Sequence, residues 1–196
     1  MIFDNIFVII ITIRKAVIIT PNLFNILRRH KADIVLGALA LLIGAGLLVW
    51  YGSTDDSILR VLLWPHAKAT EAFFNTLLYY QSGVGYVSAG GSFAVGPACM
   101  GMNFIVMLFC LMVCAFTRRL RGFAKKAAFF VLALAGSAAI GVFVSCVRII
   151  GSVPFVSYEK FATLHTGIGI ALYLAAIAGS FMLVNKLTGG LHEKHR

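Results

Sequence analysis

Residues 34–51, 99–117 and 127–147 carry no charged side chain, and 164–187 carries only Lys186, close to its end. A helix rises about 1.5 Å per residue, so roughly 20 apolar residues cross the ~30 Å hydrocarbon core of a bilayer. Hydrocarbon offers the backbone no hydrogen-bond partner, so each of these runs is committed to helix. The chain therefore reads as all-α, a polytopic membrane helical bundle with about four firm transmembrane helices. Composition agrees: 12% of the 196 residues are charged, against roughly 25% in a soluble domain.

The formal charge of +10 comes from 17 Lys and Arg against 7 Asp and Glu. Most of the excess lies in Arg28-Arg29-His30-Lys31 and in Arg118, Arg119, Arg121, Lys125 and Lys126. Short basic loops beside apolar runs follow the positive-inside bias. That placement excludes nucleic acid as the partner and names the lipid bilayer instead. It also predicts a multi-pass protein of the cell (inner or plasma) membrane with both ends cytoplasmic. Trp50 and Tyr51 then close the first span at the outer interface. The four cysteines form no CxxC pair and no Cys/His metal spacing, so no metal or other cofactor is expected.

Three regions fall outside the firm spans. Residues 6–13 are too short to cross as a helix, and Arg14, Lys15 and Pro21 follow. Residues 1–33 therefore read as an amphipathic segment in the cytoplasmic interface, with a tilted span and snorkelling Arg14 and Lys15 as the alternative. Residues 58–81 hold Arg60, His66, Lys68 and Glu71 among apolar residues, and read as an amphipathic outer-face or re-entrant element broken at Pro65. Lys68 and Glu71 are spaced to pair across one turn. The glycine-rich stretch 83–97 reads as a β-hairpin or ordered loop leading to Cys99. Residues 34–187 form the transmembrane domain, and 188–196 a basic cytoplasmic tail.

Charge topology places Cys99, Arg148 and His165 at the same, extracytoplasmic face, although they belong to three different runs. Arg148 is the most informative. A charge deep in a membrane helix costs roughly 2.5–3.5 kcal/mol on insertion scales, and this one stands on the side that the positive-inside bias leaves poor in cations. Its guanidinium is a donor fork for a carboxylate or an oxyanion. Cys99 follows Gly96-Pro97-Ala98 at a loop-to-helix junction, where the positive helix end favours a thiolate and free N–H groups can face an oxyanion. Cys110, Cys114 and Cys146 lie inside apolar runs and read as small fillers. His165, among Thr163, Thr166, Gly167 and Gly169, can accept a thiol proton and return it to a leaving amine. The three together are the parts of a cysteine peptidase or transpeptidase. Structural readings compete at each position: an interfacial arginine snorkelling to lipid phosphate, a helix-end histidine, a small buried cysteine.

The strings Pro97-Ala98-Cys99-Met100-Gly101-Met102-Asn103-Phe104, Val147-Arg148-Ile149 and His165-Thr166-Gly167-Ile168-Gly169 resemble the exosortase/archaeosortase superfamily, most closely its exosortase K branch. The resemblance covers about residues 34–187. It implies a multi-pass transpeptidase-like hydrolase of the cell envelope, with Cys99 as nucleophile, Arg148 as oxyanion or carboxylate partner and His165 as acid/base. It also implies a partner: the C-terminal sorting signal of a membrane-tethered exported protein, made of a short motif, a membrane helix and a basic tail. Two positions depart from the family pattern. Met100 stands where Ser is frequent, and Ser145 where many members carry Asn three residues before the arginine.

Two other classes remain on the residues alone. A quorum-peptide-type Cys/His membrane peptidase would put its pair at the cytoplasmic side with His first, opposite to the order here. A non-enzymatic transporter subunit or membrane scaffold would need neither Cys99 nor His165. A serine intramembrane protease is weaker, since the chain has no Gly-x-Ser-x-Gly turn.

Overall fold

The computed structural model describes residues 31–157 and 159–193, with side chains up to 187 in the last helix. Residues 1–30 of the expected interfacial segment, Tyr158, and residues 194–196 of the tail lie outside the described residues. The fold is an all-α bundle. Helix α1 spans Lys31–Gly52, α2 Asp56–Phe74, α3 Met102–Phe116, α4 Phe123–Ser152 and α5 Phe161–Glu193. Among the described residues, four helical segments are long and apolar enough to cross a membrane, and α2 is not one of them. The chain is a multi-pass membrane protein.

Helix α3 is the centre. Over half of its span is buried (56%), against 17%, 22% and 11% for those of α1, α4 and α5. Phe104, Leu108, Phe109, Met112, Val113 and Phe116 of α3 pack with Leu36 and Ala40 of α1 and Ala133 of α4. Lipid tails are as apolar as leucine, so close packing between these helices replaces the hydrophobic drive. Small residues make the approach possible: a side chain at Gly141 of α4 would collide with Ile105 of α3. Leu41, Leu42, Val49, Val131, Leu132, Phe143, Leu174 and Met182 face outward, as lipid requires.

The end of the bundle where α1 begins is basic. Asp33 of α1 pairs with Lys126 of α4 there, and Arg119, after α3, reaches Asn185 of α5. At the other end α2 and a small sheet form a cap. The expected break at Pro65 does not occur, for α2 runs continuously through it. The cost of the missing N–H is met by packing, since Leu63 and Ala67 on either side are buried against the sheet, Met100 and Ile149.

Asn75, in the left-handed conformation that Asn tolerates well, ends α2. The strand region then starts earlier than the glycine content predicted. β1 (Leu78–Gln81), β2 (Gly85–Ser88) and β3 (Ala94–Val95) form an antiparallel sheet in the order β1-β2-β3. Tyr80 and Tyr86 tie the sheet to α2. Their hydroxyls donate to the carbonyls of Asp56 (2.9 Å) and Arg60 (3.1 Å). The expected Lys68–Glu71 pair forms at 2.6 Å, and Glu71 also accepts from Leu78 N at 2.9 Å.

The Asp56 carboxylate accepts from Ser82 Oγ, from Gly83 N and from Tyr80 Oη. These bonds, that from Ser82 foremost, hold it below the ordinary Asp range. A carboxyl whose folded value is depressed stabilises above its unfolded value, about 3.9, and loses that contribution as pH falls through the lower folded value. Acidification is therefore expected to lower the protection of the Gly83 amide, measured against its intrinsic exchange rate at each pH, before the spans loosen. Asp56→Asn should remove this acid dependence. An Asn variant with the same pH response would disprove the assignment.

Candidate active site

The end of α1, the turn before α3, the end of α4 and the start of α5 meet beneath the cap. Cys99 lies in a 3-10 turn, Pro97–Met100, and not in the first turn of α3 as expected; α3 starts only at Met102. The kink between them is Gly101, at φ 69° and ψ 30°. A side chain there would be strained and would strike Ser145 Oγ and Tyr173 Oη. The Cys99 N–H is already committed to the Gly96 carbonyl at 2.9 Å, so it is not one of the free N–H groups expected at this junction. The first N–H groups of α3 have no acceptor within the helix, and Met102 and Asn103 line the cavity beside the turn.

The turn is held from three sides. Tyr51, at the end of α1, donates its hydroxyl to Pro97 O at 2.6 Å, and the Cys99 thiol lies within electrostatic range of that hydroxyl. Ser145 of α4 donates to Met100 O at 3.1 Å. Ser145, three residues before Arg148, thus has a hydrogen-bonding role of its own. Arg148 Nη2 donates to the carbonyls of Ala98 (3.1 Å) and Cys99 (3.3 Å).

Arg148 does not end its helix, as the apolar run had implied. α4 continues one further turn to Ser152, so the guanidinium is aimed across the bundle and not at the interface. Its Cζ stands 5.4 Å from the centre of the Tyr173 ring, worth about 0.5–2 kcal/mol as a cation–π contact. Tyr173 is in turn stacked on Phe104, 4.3 Å between centroids and 9° between planes. Gly169 lets the arginine through: a Cβ there would sit 3.0 Å from Arg148 Cδ. His165, Gly169 and Tyr173 are spaced four apart and share one face of α5.

His165, in the second turn of α5, has its Nδ1 2.9 Å from Ser152 Oγ, and that hydroxyl donates to the Arg148 carbonyl at 2.6 Å. Arg148 therefore connects to the Cys99 turn through its side chain and to His165 through its main chain. Among the described residues no hydrogen bond joins Cys99 Sγ directly to His165. The three expected residues converge at one end of the bundle, with Arg148 as the link.

Among the described residues, the buried side-chain polar atoms that lack a partner are both ring nitrogens of His66, Nε of Arg148 and Oη of Tyr173. Each costs on the order of 1–3 kcal/mol to leave unpaired. Arg148 and Tyr173 meet here, and the Arg148 charge also reaches His66, in the cap. Burial pushes the His66 imidazole below its ordinary range. The Leu62 carbonyl partly opposes this, and the Arg148 charge adds to it. A cavity of about 190 Å³ opens beside these donors, lined by Tyr51, Ala98, Asn103, Arg148 and Tyr173 among others. Unpaired donors around a cavity are what an acceptor-bearing ligand would satisfy. A larger groove, about 450 Å³, lies toward the basic end among Leu120, Phe129, Leu183 and Leu187. Its almost wholly apolar lining suits hydrocarbon and offers no reacting group. The three other cysteines stay apart from this chemistry: Cys110, for example, points its thiol at Ala40 O, 3.6 Å away.

No family model, no curated protein and no solved structure matches this chain.

Gly169→Val should push the guanidinium off Gly169 and away from the Ala98 and Cys99 carbonyls. The expected result is about tenfold faster hydrogen exchange of the Cys99 amide, equivalent to roughly 1.4 kcal/mol of local loosening, with exchange in the middle of α3 unchanged. Equal exchange in variant and wild type would show that Arg148 does not hold the turn.

Proposed function

We propose that this chain is a membrane cysteine peptidase or transpeptidase of the exosortase kind, acting on the C-terminal sorting signals of exported, membrane-tethered proteins. One observation carries the reading: a single half-buried arginine reaches the carbonyls of the Cys99 turn with its side chain and, through Ser152, the ring of His165 with its main chain. The resemblance of the three strings around Cys99, Arg148 and His165 supports the same assignment. The basic loops support the side. Arg118, Arg119, Arg121, Lys125 and Lys126 follow α3 or open α4, at the end opposite the Cys99 turn, and the positive-inside bias assigns that basic end to the cytoplasm. The reaction is then extracytoplasmic, at the cell membrane.

In this mechanism the Cys99 thiol gives its proton to His165 Nε2, and Sγ attacks the scissile carbonyl carbon. A C–S bond forms and the carbonyl π pair moves onto oxygen. Arg148, Tyr173 Oη and the free N–H groups at the start of α3 offer donors to that oxyanion. On collapse the C–N bond breaks, and the departing amine takes the proton back from Nε2. Water or an acceptor amine then cleaves the thioester. Since no hydrogen bond joins Sγ to His165 at rest, substrate entry must bring them within about 3 Å, or one bridging water, of each other.

The test pairs this chain with an exported protein ending in an apolar helix and a basic tail, co-expressed in the same membrane. Cys99→Ala should leave the partner uncleaved, and Arg148→Lys, which cannot keep the planar fork, should slow cleavage by about 10²-fold or more. Hydroxylamine should intercept the Cys99 thioester, breaking the C–S bond to release the acyl group as its hydroxamate and regenerate the thiol. Normal processing by Cys99→Ala would rule the mechanism out. Protection of Cys99 from an impermeant thiol reagent in intact cells would rule out the extracytoplasmic side.

A further inference from the structure

We infer that Ser152 is a positioning residue for His165: it fixes the imidazole as the Nδ1–H tautomer and leaves the Nε2 lone pair as the base. The argument counts protons. A serine hydroxyl has one hydrogen. At 2.6 Å from the Arg148 carbonyl, which has none, that hydrogen must lie on the line from Ser152 to Arg148. Ser152 can then only accept from its other neighbour, so His165 Nδ1, 2.9 Å away, must be the donor. A neutral imidazole carries one N–H, and the lone pair is left on Nε2.

Little competes with this arrangement. Ser152 is 3% exposed, so water cannot readily replace either bond. The Phe161 ring lies beside the imidazole, 5.6 Å between centroids, and restricts its rotation. The same bond survives catalysis, because Nδ1 keeps its hydrogen when Nε2 takes up a second proton. Activated nucleophiles commonly have a base oriented by a third group, and here that group is a hydroxyl backed by a main-chain carbonyl. One turn of α4 then serves both partners: Arg148 holds the turn that carries the thiol, and Ser152, four residues on, sets the base.

The catalytic consequence rests on the peptidase reading, but the tautomer does not, and the experiment separates them. The full-length protein, labelled with ¹⁵N-histidine and held in lipid bilayers, is measured by NMR at a pH where His165 is neutral; His165→Gln identifies its signals. The expected wild-type spectrum shows a protonated Nδ1 and a bare Nε2. Ser152→Ala should shift the population toward Nε2–H, and Ser152→Thr should restore the wild-type pattern. In the cleavage assay Ser152→Ala should lower kcat by about tenfold or more, part of the roughly 10²–10⁴ that a positioned acid–base group supplies, with KM unchanged and recovery in the Thr variant. A wild-type Nε2–H tautomer, or an Nδ1–H tautomer unaltered by Ser152→Ala, overturns the inference. The expected tautomer shift in a protein that cleaves nothing would leave the inference standing and sink the peptidase reading.

Discussion

A guanidinium near the end of an apolar helix must find oxygen, and most of the site's geometry follows from where Arg148 finds it. Its charge is always present, and lipid offers no acceptor below the headgroups. Snorkelling to the interface would have been the simplest solution. One more turn of α4 beyond Arg148 removes that route, and the side chain instead crosses to the Ala98 and Cys99 carbonyls, over the face of Tyr173. Those carbonyls are available because Gly101 breaks the chain between the 3-10 turn and α3. The arginine thus holds the Cys99 turn while keeping its Nε unspent.

The unspent groups matter as much as the bonds. Membrane cores tolerate few buried polar atoms, yet His66, Arg148 and Tyr173 leave four unpaired at the same end of the bundle. Packing for stability alone would have filled these positions with leucine or phenylalanine, as the opposite end does around Phe116, Phe129 and Phe181. Groups left unpaired at a cost are ready for a partner that arrives later, and a reaction that develops negative charge on an oxygen supplies one.

The spans and the three candidate residues stood out in the sequence because each breaks a pattern. Long uncharged runs are rare outside membranes, and Arg148 and His165 stand out against them; Cys99 stands out among four cysteines by lying at a junction. The residues that organise them left no comparable trace. Tyr51 looks like a belt aromatic, Tyr173 like another apolar filler, and Ser145 and Ser152 like the small residues common in membrane helices. Their roles exist only across helix pairs, and no periodicity within one run reports them. His66 was visible as a polar residue of an amphipathic segment, but that pattern gave no hint that it would be fully buried. The cap was misread at its edges for a related reason. Pro65 breaks an isolated helix, and only burial of its neighbours keeps α2 whole. Leu78–Gln81 reads as the tail of an amphipathic helix until Asn75 is seen in the left-handed conformation.

The cap also ties the Cys99 turn to the rest of the fold. β3 is separated from Cys99 by only Gly96, Pro97 and Ala98, so the sheet and the thiol move together. The sheet is fixed to α2 through Tyr80, Tyr86 and Glu71, and α2 is packed on Ile149, next to Arg148. A peptide approaching from the aqueous side must pass this assembly, whereas one arriving along the bilayer meets the starts of α3 and α5 directly. A substrate tethered by its own membrane helix would arrive by the second route, already confined to the plane of the site. Effective concentration would then replace an extensive binding surface, which is consistent with a cavity of only about 190 Å³ beside Arg148 and the Cys99 turn.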